Sequence, residues 1–330
     1  MAGGSFPDVR PRRLRRKPQV RQMLQRVRLR ASDLIVPVFV HDGPKLEVAS
    51  MPGVFRLGVD DAADWLDSMA ELGIGGFLVF GVLGDDQKDA VGSSGEAGDN
   101  VVCRLLRETR KRGNPMLAIT DVCLCEYTDH GHCAPLVDGE ADNDAALAKL
   151  GRQAVIHAEA GADWVAPSAA MDGMVAAIRR GLDDAGHHQT AIMSYAIKYA
   201  GAFYGPFRDA AASAPSTGDR KSYQMDPMRG TDEAIREAEL DVAEGADVVM
   251  VKPAGPYLDV LSAMRQAVRV PTAAYQTSGE YAMHMAGGQH GWIDLNAVVL
   301  ESTMAMRRAG ADLVITYHAE RLARMLATGS

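Results

Sequence analysis

The sequence predicts an α/β fold in which eight parallel strands alternate with helices and close into a barrel. Short apolar runs rich in β-branched residues recur at fairly even spacing along the 330 residues, and stretches with helical periodicity separate them. This alternation is typical of repeated βα units around a parallel sheet. The length is also one that α/β barrels use as a single domain.

Eight runs fit the strand pattern, and each is flanked by Gly, Pro or polar residues. They are residues 34–40, 77–82, 116–124, 164–168, 191–198, 248–253, 272–278 and 313–317. Candidate helices between them include residues 61–72, 144–160, 231–244 and 294–308. A doubly wound open sheet is the alternative, but it usually has fewer strands and a glycine-rich dinucleotide turn, which residues 36–43 lack. We therefore predict a TIM (β/α)8 barrel.

A short repeated phrase supports this order of elements. It is Ala-Gly-Ala-Asp at residues 160–163 and 309–312 and Glu-Gly-Ala-Asp at residues 244–247. Each copy lies where a predicted helix ends and a predicted strand begins, and Gly is common at helix C-termini.

The charge distribution divides the chain into two parts. The formal net charge is −8, yet residues 1–30 hold ten Lys/Arg and one acid, so they carry +9 and the remaining residues −17. We predict a basic N-terminal arm over residues 1–30 and a catalytic barrel over residues 31–330. A transit peptide or a nucleic-acid-binding tail is the alternative. The arm is favoured because its Arg-rich segment, residues 10–16, lies among prolines rather than in an amphipathic helix.

Composition predicts a soluble protein of the cytoplasm, without a membrane partner. No apolar run approaches the roughly 18 residues that a membrane span requires. Three of the four cysteines lie within residues 123–133, which is not a disulfide framework for a chain of this size. Reducing conditions are therefore expected.

Two lysines end neighbouring predicted strands. Lys198 closes the run IMSYAIK, and Lys252 closes VVMVK. Catalytic groups of a TIM barrel lie at the C-terminal ends of its strands, so these two ammonium groups should converge. Two cations in a partly dry pocket disfavour double protonation, which predicts a nucleophilic amine that forms an imine with a carbonyl substrate. A salt-bridged or surface role is the alternative for either lysine alone.

Three cysteines lie at the end of the third predicted strand and just after it: Cys123, Cys125 and Cys133. Three thiolates at this spacing suit zinc, and a site with three protein ligands leaves a position for water or substrate. The pattern therefore favours a catalytic zinc site. His130 or His132 as a fourth ligand would make the site structural, and buried unreactive thiols are a further alternative.

A long segment rich in glycine, aromatic and basic residues surrounds and follows Lys198, and we predict that it forms a lid. Its cationic side chains, Arg208, Arg220 and Lys221, suit a carboxylate or phosphate ligand. Hydroxyls that are candidates for a second carboxylate end the seventh and eighth predicted strands, at Ser278 and Tyr317. Solvated cations and satisfied strand-end hydroxyls are the alternatives. The acids of residues 237–244 are expected to form a solvated helix face.

Five sequence strings that contain most of these candidate residues resemble one known family over nearly the whole chain. DVCLCEYTDHGHC, YGPFRDAA, GDRKSYQ, VMVKPAGPYLD and SGEYAM occur in this order and resemble the porphobilinogen synthases, also called 5-aminolevulinate dehydratases. The resemblance implies a TIM barrel whose arm embraces a neighbouring subunit, commonly in a homo-octamer. It also implies the condensation of two 5-aminolevulinate molecules to porphobilinogen with loss of two waters, an early step of haem biosynthesis.

The resemblance further implies roles for individual residues. Lys252 would form an imine with the first-bound substrate and Lys198 with the second. The lid positions near the second substrate's carboxylate are Arg208, Arg220, Lys221 and Gln224. Those that hold the first substrate are Ser278 and Tyr317. Two further active-site positions are Asp121 and Ser168. The positions of a catalytic zinc ion are Cys123, Cys125 and Cys133.

Two departures from the family pattern affect other expectations. The resemblance implies an allosteric magnesium ion at a subunit interface, with Glu237 as its carboxylate ligand. Ala169 and Ala170 stand where the family usually has Asp-Met, so an acidic residue near that interface is lost and magnesium is expected to act weakly or not at all. His318 replaces a more usual tyrosine beside Tyr317.

Two other functions fit part of the sequence. A lyase of the class I aldolase type needs one imine-forming lysine, but neither a second lysine nor three cysteines. A nucleic-acid-binding module would use the basic arm and keep the barrel as a scaffold. The acidic remainder of the chain argues against the second.

Overall fold

Eight parallel strands close into a barrel in the computed structural model, which describes residues 9–328. The strands, labelled β1 to β8 in chain order, are Leu34–His41, Gly76–Val82, Leu117–Val122, Trp164–Pro167, Ala191–Lys198, Val248–Lys252, Thr272–Gln276 and Leu313–Thr316. Each pairs in parallel with the next, and β8 pairs with β1 through Val314 opposite Leu34. The predicted TIM barrel is confirmed.

One helix follows each barrel strand within the described residues. In chain order these helices are Val59–Glu71, Val101–Arg112, Asn143–Ala160, Met174–Asp184, Thr231–Glu244, Leu258–Ala267, Leu295–Ala309 and Ala319–Ala327. Two additional helices, Gly205–Ala211 after β5 and Ser278–Gln289 after β7, extend the loops at the C-terminal end of the barrel. The loops after β1 and β3 carry short antiparallel pairs, Leu46–Glu47 with Phe55–Leu57 and Leu136–Val137 with Glu140–Ala141.

The predicted boundaries agree with the structure to within two residues, and two strands end two residues earlier than expected. The third ends at Val122, so Cys123 lies in the loop. The seventh ends at Gln276, and Ser278 begins a helix instead. Glu280 explains the early helix start, because its carboxylate accepts hydrogen bonds from the Thr277 backbone N–H (2.7 Å) and hydroxyl (2.9 Å).

The repeated phrase has the same structural role each time it occurs. Its glycine ends a helix in the left-handed region, with φ of 114°, 110° and 127° in the three copies. Its aspartate then accepts a hydrogen bond, at 2.8–2.9 Å, from the backbone N–H of the first or second residue of the preceding barrel strand. The donor–acceptor pairs are Ala118 N–H to Asp163, Ile192 N–H to Asp247 and Thr272 N–H to Asp312. The repeat therefore ties neighbouring strands together at the N-terminal end of the barrel.

Alternation along the strands separates two apolar layers. In β2, for example, Leu78 and Phe80 belong to the cluster inside the barrel, whereas Phe77 and Val79 pack against the surrounding helices. The inner cluster becomes aromatic near the C-terminal end of the barrel, where it includes Phe39, Phe80, Tyr195 and Tyr275. The functional groups described below therefore lie above a dry aromatic floor.

Residues 9–30 precede the barrel and are largely exposed. They contain a 3-10 helix, Pro11–Leu14, and a short α-helix, Pro18–Met23. The segment joins the barrel at Leu29, which is buried, and Arg307 donates to the Arg28 carbonyl at 3.3 Å. Across residues 9–328, no helix combines the length and the apolar character needed to cross a membrane.

Candidate active site

Lys198 and Lys252 lie opposite each other at the ends of β5 and β6. The register depends on an irregularity in β5: Val249 pairs with Ser194 and Val251 with Ile197, so β5 has one extra residue between these pairs. Without it, Ile197 rather than Lys198 would stand beside Lys252, since a one-residue shift turns the side chains to the other face. Both lysines are buried and line one cavity.

Aromatic rings surround the Lys252 ammonium. Its Nζ lies 4.1 Å from the ring centroid of Tyr275, 4.8 Å from that of Tyr195 and 4.9 Å from that of Phe207. Burial and the neighbouring charge of Lys198 lower the pKa of Lys252 to about 7. A substantial fraction of this amine is therefore neutral and nucleophilic near neutral pH.

Lys198 has more polar surroundings. Its Nζ donates to the Ser168 carbonyl oxygen, and the Ser168 hydroxyl donates to Asp121 Oδ2 at 2.9 Å. The other oxygen, Oδ1, is buried, and none of the described residues forms a hydrogen bond with it. Burial raises the pKa of Asp121 although both lysine charges oppose the shift. The carboxyl group is thus placed to exchange protons with whatever enters the cavity.

Cys123, Cys125 and Cys133 are buried and converge, with all three Sγ atoms within 4.8 Å of one another. The Cys123 and Cys125 sulfurs are 3.3 Å apart. Hydrogen bonds from these two thiols and the nearby Arg220 charge hold the pKa of Cys133 well below its usual range. A tetrahedral ion with zinc–sulfur distances of about 2.3 Å needs sulfurs about 3.8 Å apart. The cluster fits a metal ion of that kind with small adjustments.

The two nearby histidines do not complete this cluster. His132 uses Nδ1 toward the Tyr223 hydroxyl (3.1 Å) and Nε2 toward the Thr217 carbonyl (2.9 Å). His130 Nε2 lies 3.1 Å from the Ala90 carbonyl, and its Nδ1 accepts from the His132 backbone N–H at 3.1 Å. All four ring nitrogens are therefore engaged away from the sulfurs. The geometry favours the open, three-ligand alternative.

Residues 199–225, which we call the lid, cover the two lysines as predicted. The lid is tied to the strand ends through main-chain groups: the Lys198 carbonyl accepts from Met225 N–H at 3.0 Å, and the Lys252 carbonyl accepts from the Tyr204 hydroxyl at 3.2 Å. The helix of the lid, Gly205–Ala211, is held by Ser278, because the Ser278 hydroxyl accepts a hydrogen bond from the Phe207 N–H at 2.9 Å. Phe207, the aromatic residue of this helix, thereby lies over Lys252.

Two arginines of the lid present unused donors. Arg220 is buried and donates to the carbonyls of Gly131 (2.8 Å) and Ser213 (2.7 Å). Burial and the Arg220 charge lower the pKa of Arg208. Both Nε atoms are buried and lack an acceptor among residues 9–328. With the Gln224 amide beside them, they form a cationic wall suited to a carboxylate.

The lysines, the lid and the cysteine loop enclose a cavity of about 20 Å³, room for roughly one water molecule. Its charged and amide lining consists of Asp121, Glu126, Lys198, Arg208, Arg220, Gln224 and Lys252, and Ser168 adds a hydroxyl. A substrate of several heavy atoms fits here only after side chains that line the cavity have shifted. An open cleft of about 830 Å³ lies outside the lid and also reaches Lys198.

Some predicted residues lie elsewhere. Lys221 is exposed, with its Nζ 3.4 Å from Asp219, and it lines the outer cleft. Glu237 also lines this cleft, and burial and Asp172 raise its pKa. Tyr317 is separated from the enclosed cavity, and its hydroxyl lies 3.2 Å from that of Tyr275.

The acidic helix face is only partly solvated, so that expectation was wrong in part. Asp241 accepts a 2.5 Å hydrogen bond from the Ser194 hydroxyl, and burial raises the pKa of Asp241 to about 7. Glu244 accepts from the Ala176 backbone N–H at 3.1 Å. The helix packs on the barrel at these positions, which buries most of the Asp241 carboxylate and leaves Glu244 half-buried.

Several residues of the site were missed from the sequence. Glu126 is buried, lines the enclosed cavity, and has one oxygen, Oε1, without a partner in the described part of the chain. A carboxylate inside a cysteine-rich apolar string was the available signal. Tyr204 and Phe207 also line the cavity. Both lie in the string YGPFRDAA, but only Arg208 of that string was assigned a role. His318, already singled out in the sequence, is not among the residues that line this cavity: it pairs with His284 (3.4 Å), and burial and that neighbour lower the pKa of His318 to about 3.

Known proteins match this chain over almost its full length. The family model for delta-aminolevulinic acid dehydratase matches residues 8–325. Proteins of that name from Methanothermobacter thermautotrophicus (50% identity over 321 residues, 96% of this chain and 97% of the relative) and Halalkalibacterium halodurans (48% over 326 residues, 98% of each) are similar. A solved delta-aminolevulinic acid dehydratase (porphobilinogen synthase) from Toxoplasma gondii, in complex with the reaction product porphobilinogen, superposes with a TM-score of 0.95 at 41% identity and covers 98% of this chain and 92% of that one.

Proposed function

The chain belongs to the delta-aminolevulinic acid dehydratase family, and we propose that it condenses two molecules of 5-aminolevulinate into porphobilinogen. This is a lyase reaction of tetrapyrrole biosynthesis in which two waters leave. One observation carries the proposal: two buried lysines stand opposite each other under a lid with unused guanidinium donors, beside three converging thiols. A single-imine lyase has no need of this combination.

The first imine forms at Lys252. Its amine, with a pKa near 7, adds to the keto carbon of one 5-aminolevulinate, and the resulting carbinolamine loses water. The Asp121 carboxyl and the Ser168 hydroxyl supply and accept the protons of these steps, since they are hydrogen-bonded to each other inside the same cavity. Ser278 and Tyr317 hold this first molecule when the lid is open.

The second molecule reacts at Lys198, with loss of the second water. Its carboxylate binds to Arg208, Arg220 and Gln224, because their donors face the cavity and two of the Nε–H groups are unused. Lys221 attracts the carboxylate at the outer cleft rather than inside the cavity. Bond formation between the two bound molecules and closure of the pyrrole then release both lysines as amines, so the net loss is two waters.

The three cysteines suit a catalytic zinc ion. Cys123, Cys125 and Cys133 would hold it, and they supply three sulfurs without a fourth protein ligand. When bound, zinc would supply Lewis acidity toward the second substrate. Arg220 supports the thiolate form of these ligands, because its charge contributes to the low pKa of Cys133.

Assembly and regulation are further parts of the proposal. Residues 1–30 form an arm that embraces a neighbouring subunit of a homo-octamer in the cytoplasm, and residues 31–330 form the catalytic domain. Val9 and Met23 support this, because both are strongly exposed apolar residues on the described part of the arm.

Glu237 is the ligand position for an allosteric magnesium ion. Magnesium binding there is weakened because Ala169 and Ala170 contribute no carboxylate. Native mass and metal analysis, with and without magnesium, test these points.

A direct assay tests the reaction. The protein, supplied with zinc and a thiol reductant, is incubated with 5-aminolevulinate, and the pyrrole is detected by its colour with an Ehrlich-type reagent. We expect product from the native chain and none from a Lys252→Ala variant. Absence of product from the native chain under these conditions would refute the proposal.

A further inference from the structure

Two cationic side chains that have no role in the proposed mechanism bind the carbonyl groups at the C-terminal end of the lid helix, Gly205–Ala211. Arg56 Nε donates to the Ala210 carbonyl at 2.8 Å, and its Nη2 donates to the Asp209 carbonyl. Lys88 Nζ donates to the Ala212 carbonyl at 2.7 Å. Three of the four carbonyls of residues 209–212 thus accept hydrogen bonds from two side chains.

These bonds meet a specific need of the helix end. The last carbonyls of a helix have no partner within the helix, and they carry the negative end of its dipole. This helix ends abruptly, because Ala212 adopts a left-handed conformation with φ of 49°. Cationic donors at the exposed carbonyls both satisfy them and complement the dipole.

Burial of the Lys88 ammonium costs free energy unless polar partners compensate for the lost water. Its side chain is only 6% exposed, and its nearest carboxylate, Asp85, is fully exposed and 3.9 Å away. Burying an ammonium is unfavourable without strong partners, and the lid carbonyl is the closest one. Arg56 likewise forms no ion pair with any carboxylate of residues 9–328, and its donors are directed to the lid.

Both residues belong to parts of the chain that are fixed to the barrel. Arg56 lies in the short strand Phe55–Leu57, which pairs with β1. Lys88 lies in the loop after β2, where the backbone at Asp89 bridges to Thr128 of the cysteine loop. The lid helix is therefore attached at its C-terminal end to the barrel wall on the side away from Lys198.

The attached helix positions the roof of the active site. Phe207 packs against Phe80 with ring centroids 5.1 Å apart and lies over the Lys252 ammonium. Arg208, one residue further, lines the enclosed cavity. A shift of the helix end would move both side chains together, because they lie within one turn of the gripped carbonyls.

We propose that Arg56 and Lys88 form a clasp that holds the lid closed over bound substrate, a role that rests on the proposed function. They are positioning residues, since they contact neither lysine. Without the clasp the lid opens more often, so substrates leave before reaction and water enters. The apparent KM for 5-aminolevulinate therefore rises, whereas capture of substrate by Lys252 in a long incubation persists.

The first test measures the lid without substrate, so it is independent of the reaction. Amide hydrogen exchange of the full zinc-loaded protein is compared for native chain, Arg56→Gln and Lys88→Gln, with Arg56→Lys and Lys88→Arg as rescue variants. Arg104→Gln and Lys111→Gln are matched controls, because both cations lie in ion pairs away from the lid. We expect exchange in residues 204–213 to rise roughly 10-fold or more in each Gln variant, the scale of one charged hydrogen bond.

The outcomes separate the clasp from its alternatives. Unchanged lid exchange in both Gln variants overturns the proposal, as does an equal rise across the barrel strands, which would mean a general loss of stability. Faster lid exchange with an unchanged KM overturns the role in substrate retention. If the native chain makes no porphobilinogen, the proposed function fails, whereas the exchange data still decide whether the clasp exists.

Discussion

Lys252 and Lys198 occupy matching positions on neighbouring strands, yet their surroundings differ. Lys252 is enclosed by aromatic rings, with Tyr275 nearest at 4.1 Å. Lys198 donates to the Ser168 carbonyl and lines both the enclosed cavity and the open outer cleft. Strand register brings the two amines together, whereas the side chains around each amine determine its reactivity. Lys252 therefore lies in the aromatic part of the site, whereas Lys198 lies in the polar part, next to the outer cleft.

This difference indicates an order of events. An amine surrounded by rings loses its proton readily, because the charged form is poorly solvated there. Lys252, with its pKa near 7, thus has a neutral and nucleophilic fraction near neutral pH. Lys198 also lines the outer cleft, which a second molecule can occupy after the first is bound. We infer that the first imine forms at Lys252 and the second at Lys198.

Removal of the Lys252 amine should have the largest effect. We expect Lys252→Ala to lower kcat/KM for porphobilinogen formation by about 10,000-fold or more, as when a covalent nucleophile is lost. Borohydride trapping with substrate should also lose the Lys252 adduct, which mass spectrometry of the protein and its peptides detects. Lys111→Ala is the matched control, because that lysine is exposed, is paired with Glu108 and does not line the site. Near-native turnover in Lys252→Ala would contradict the proposed mechanism.

Removal of the Lys198 amine should separate the two sites. Lys198→Ala should lower product formation by about 1,000-fold or more, since only one molecule can be activated. Trapping with borohydride should still attach one substrate, and peptide mapping should place it on Lys252. If this variant traps nothing at any pH, the inferred order is wrong. A native melting temperature is the control for folding.

The pH dependence of trapping should sharpen the comparison further. In the native chain, capture at Lys252 should rise with pH through about 7, because the neutral amine is the nucleophile. The Lys198 charge disfavours protonated Lys252, so Lys198→Met should move the midpoint upward. The Asp121 charge favours protonated Lys252, so Asp121→Asn should move the midpoint downward. Shifts in the opposite directions would show that other charges control this amine.

Local patterns in the sequence were sufficient for the parts of the site that depend on one strand end. The runs ending in Lys198 and Lys252 and the closely spaced cysteines are such patterns, because strand-end placement and short spacing need no long-range information. The extra residue in β5 was not predictable, although it decides that Lys198 rather than Ile197 stands beside Lys252. An apolar run shows its period only roughly, and a bulge does not interrupt it.

The environment of each amine was also beyond the sequence. The rings around Lys252 come from separate elements, Phe80 from β2, Tyr275 from β7 and Phe207 from the lid, and only the closed barrel brings them together. Lys221 illustrates the opposite error. It lies next to Arg220 in the chain, but the lid backbone turns Arg220 inward and leaves Lys221 beside Asp219 at the surface.

The smallest effect is expected from Tyr275→Phe, which tests whether the rings act by excluding water or through their hydroxyls. The substitution keeps the ring over Lys252 and removes only the hydroxyl that contacts Tyr317 at 3.2 Å. Burial is the largest cause of the low pKa of Lys252, so the midpoint of trapping should stay where it is in the native chain. Turnover should change by less than about 10-fold, through the looser Tyr317. A midpoint that moves as far as in Lys198→Met would mean that the hydroxyl, rather than the dry ring, makes this site different from that of Lys198.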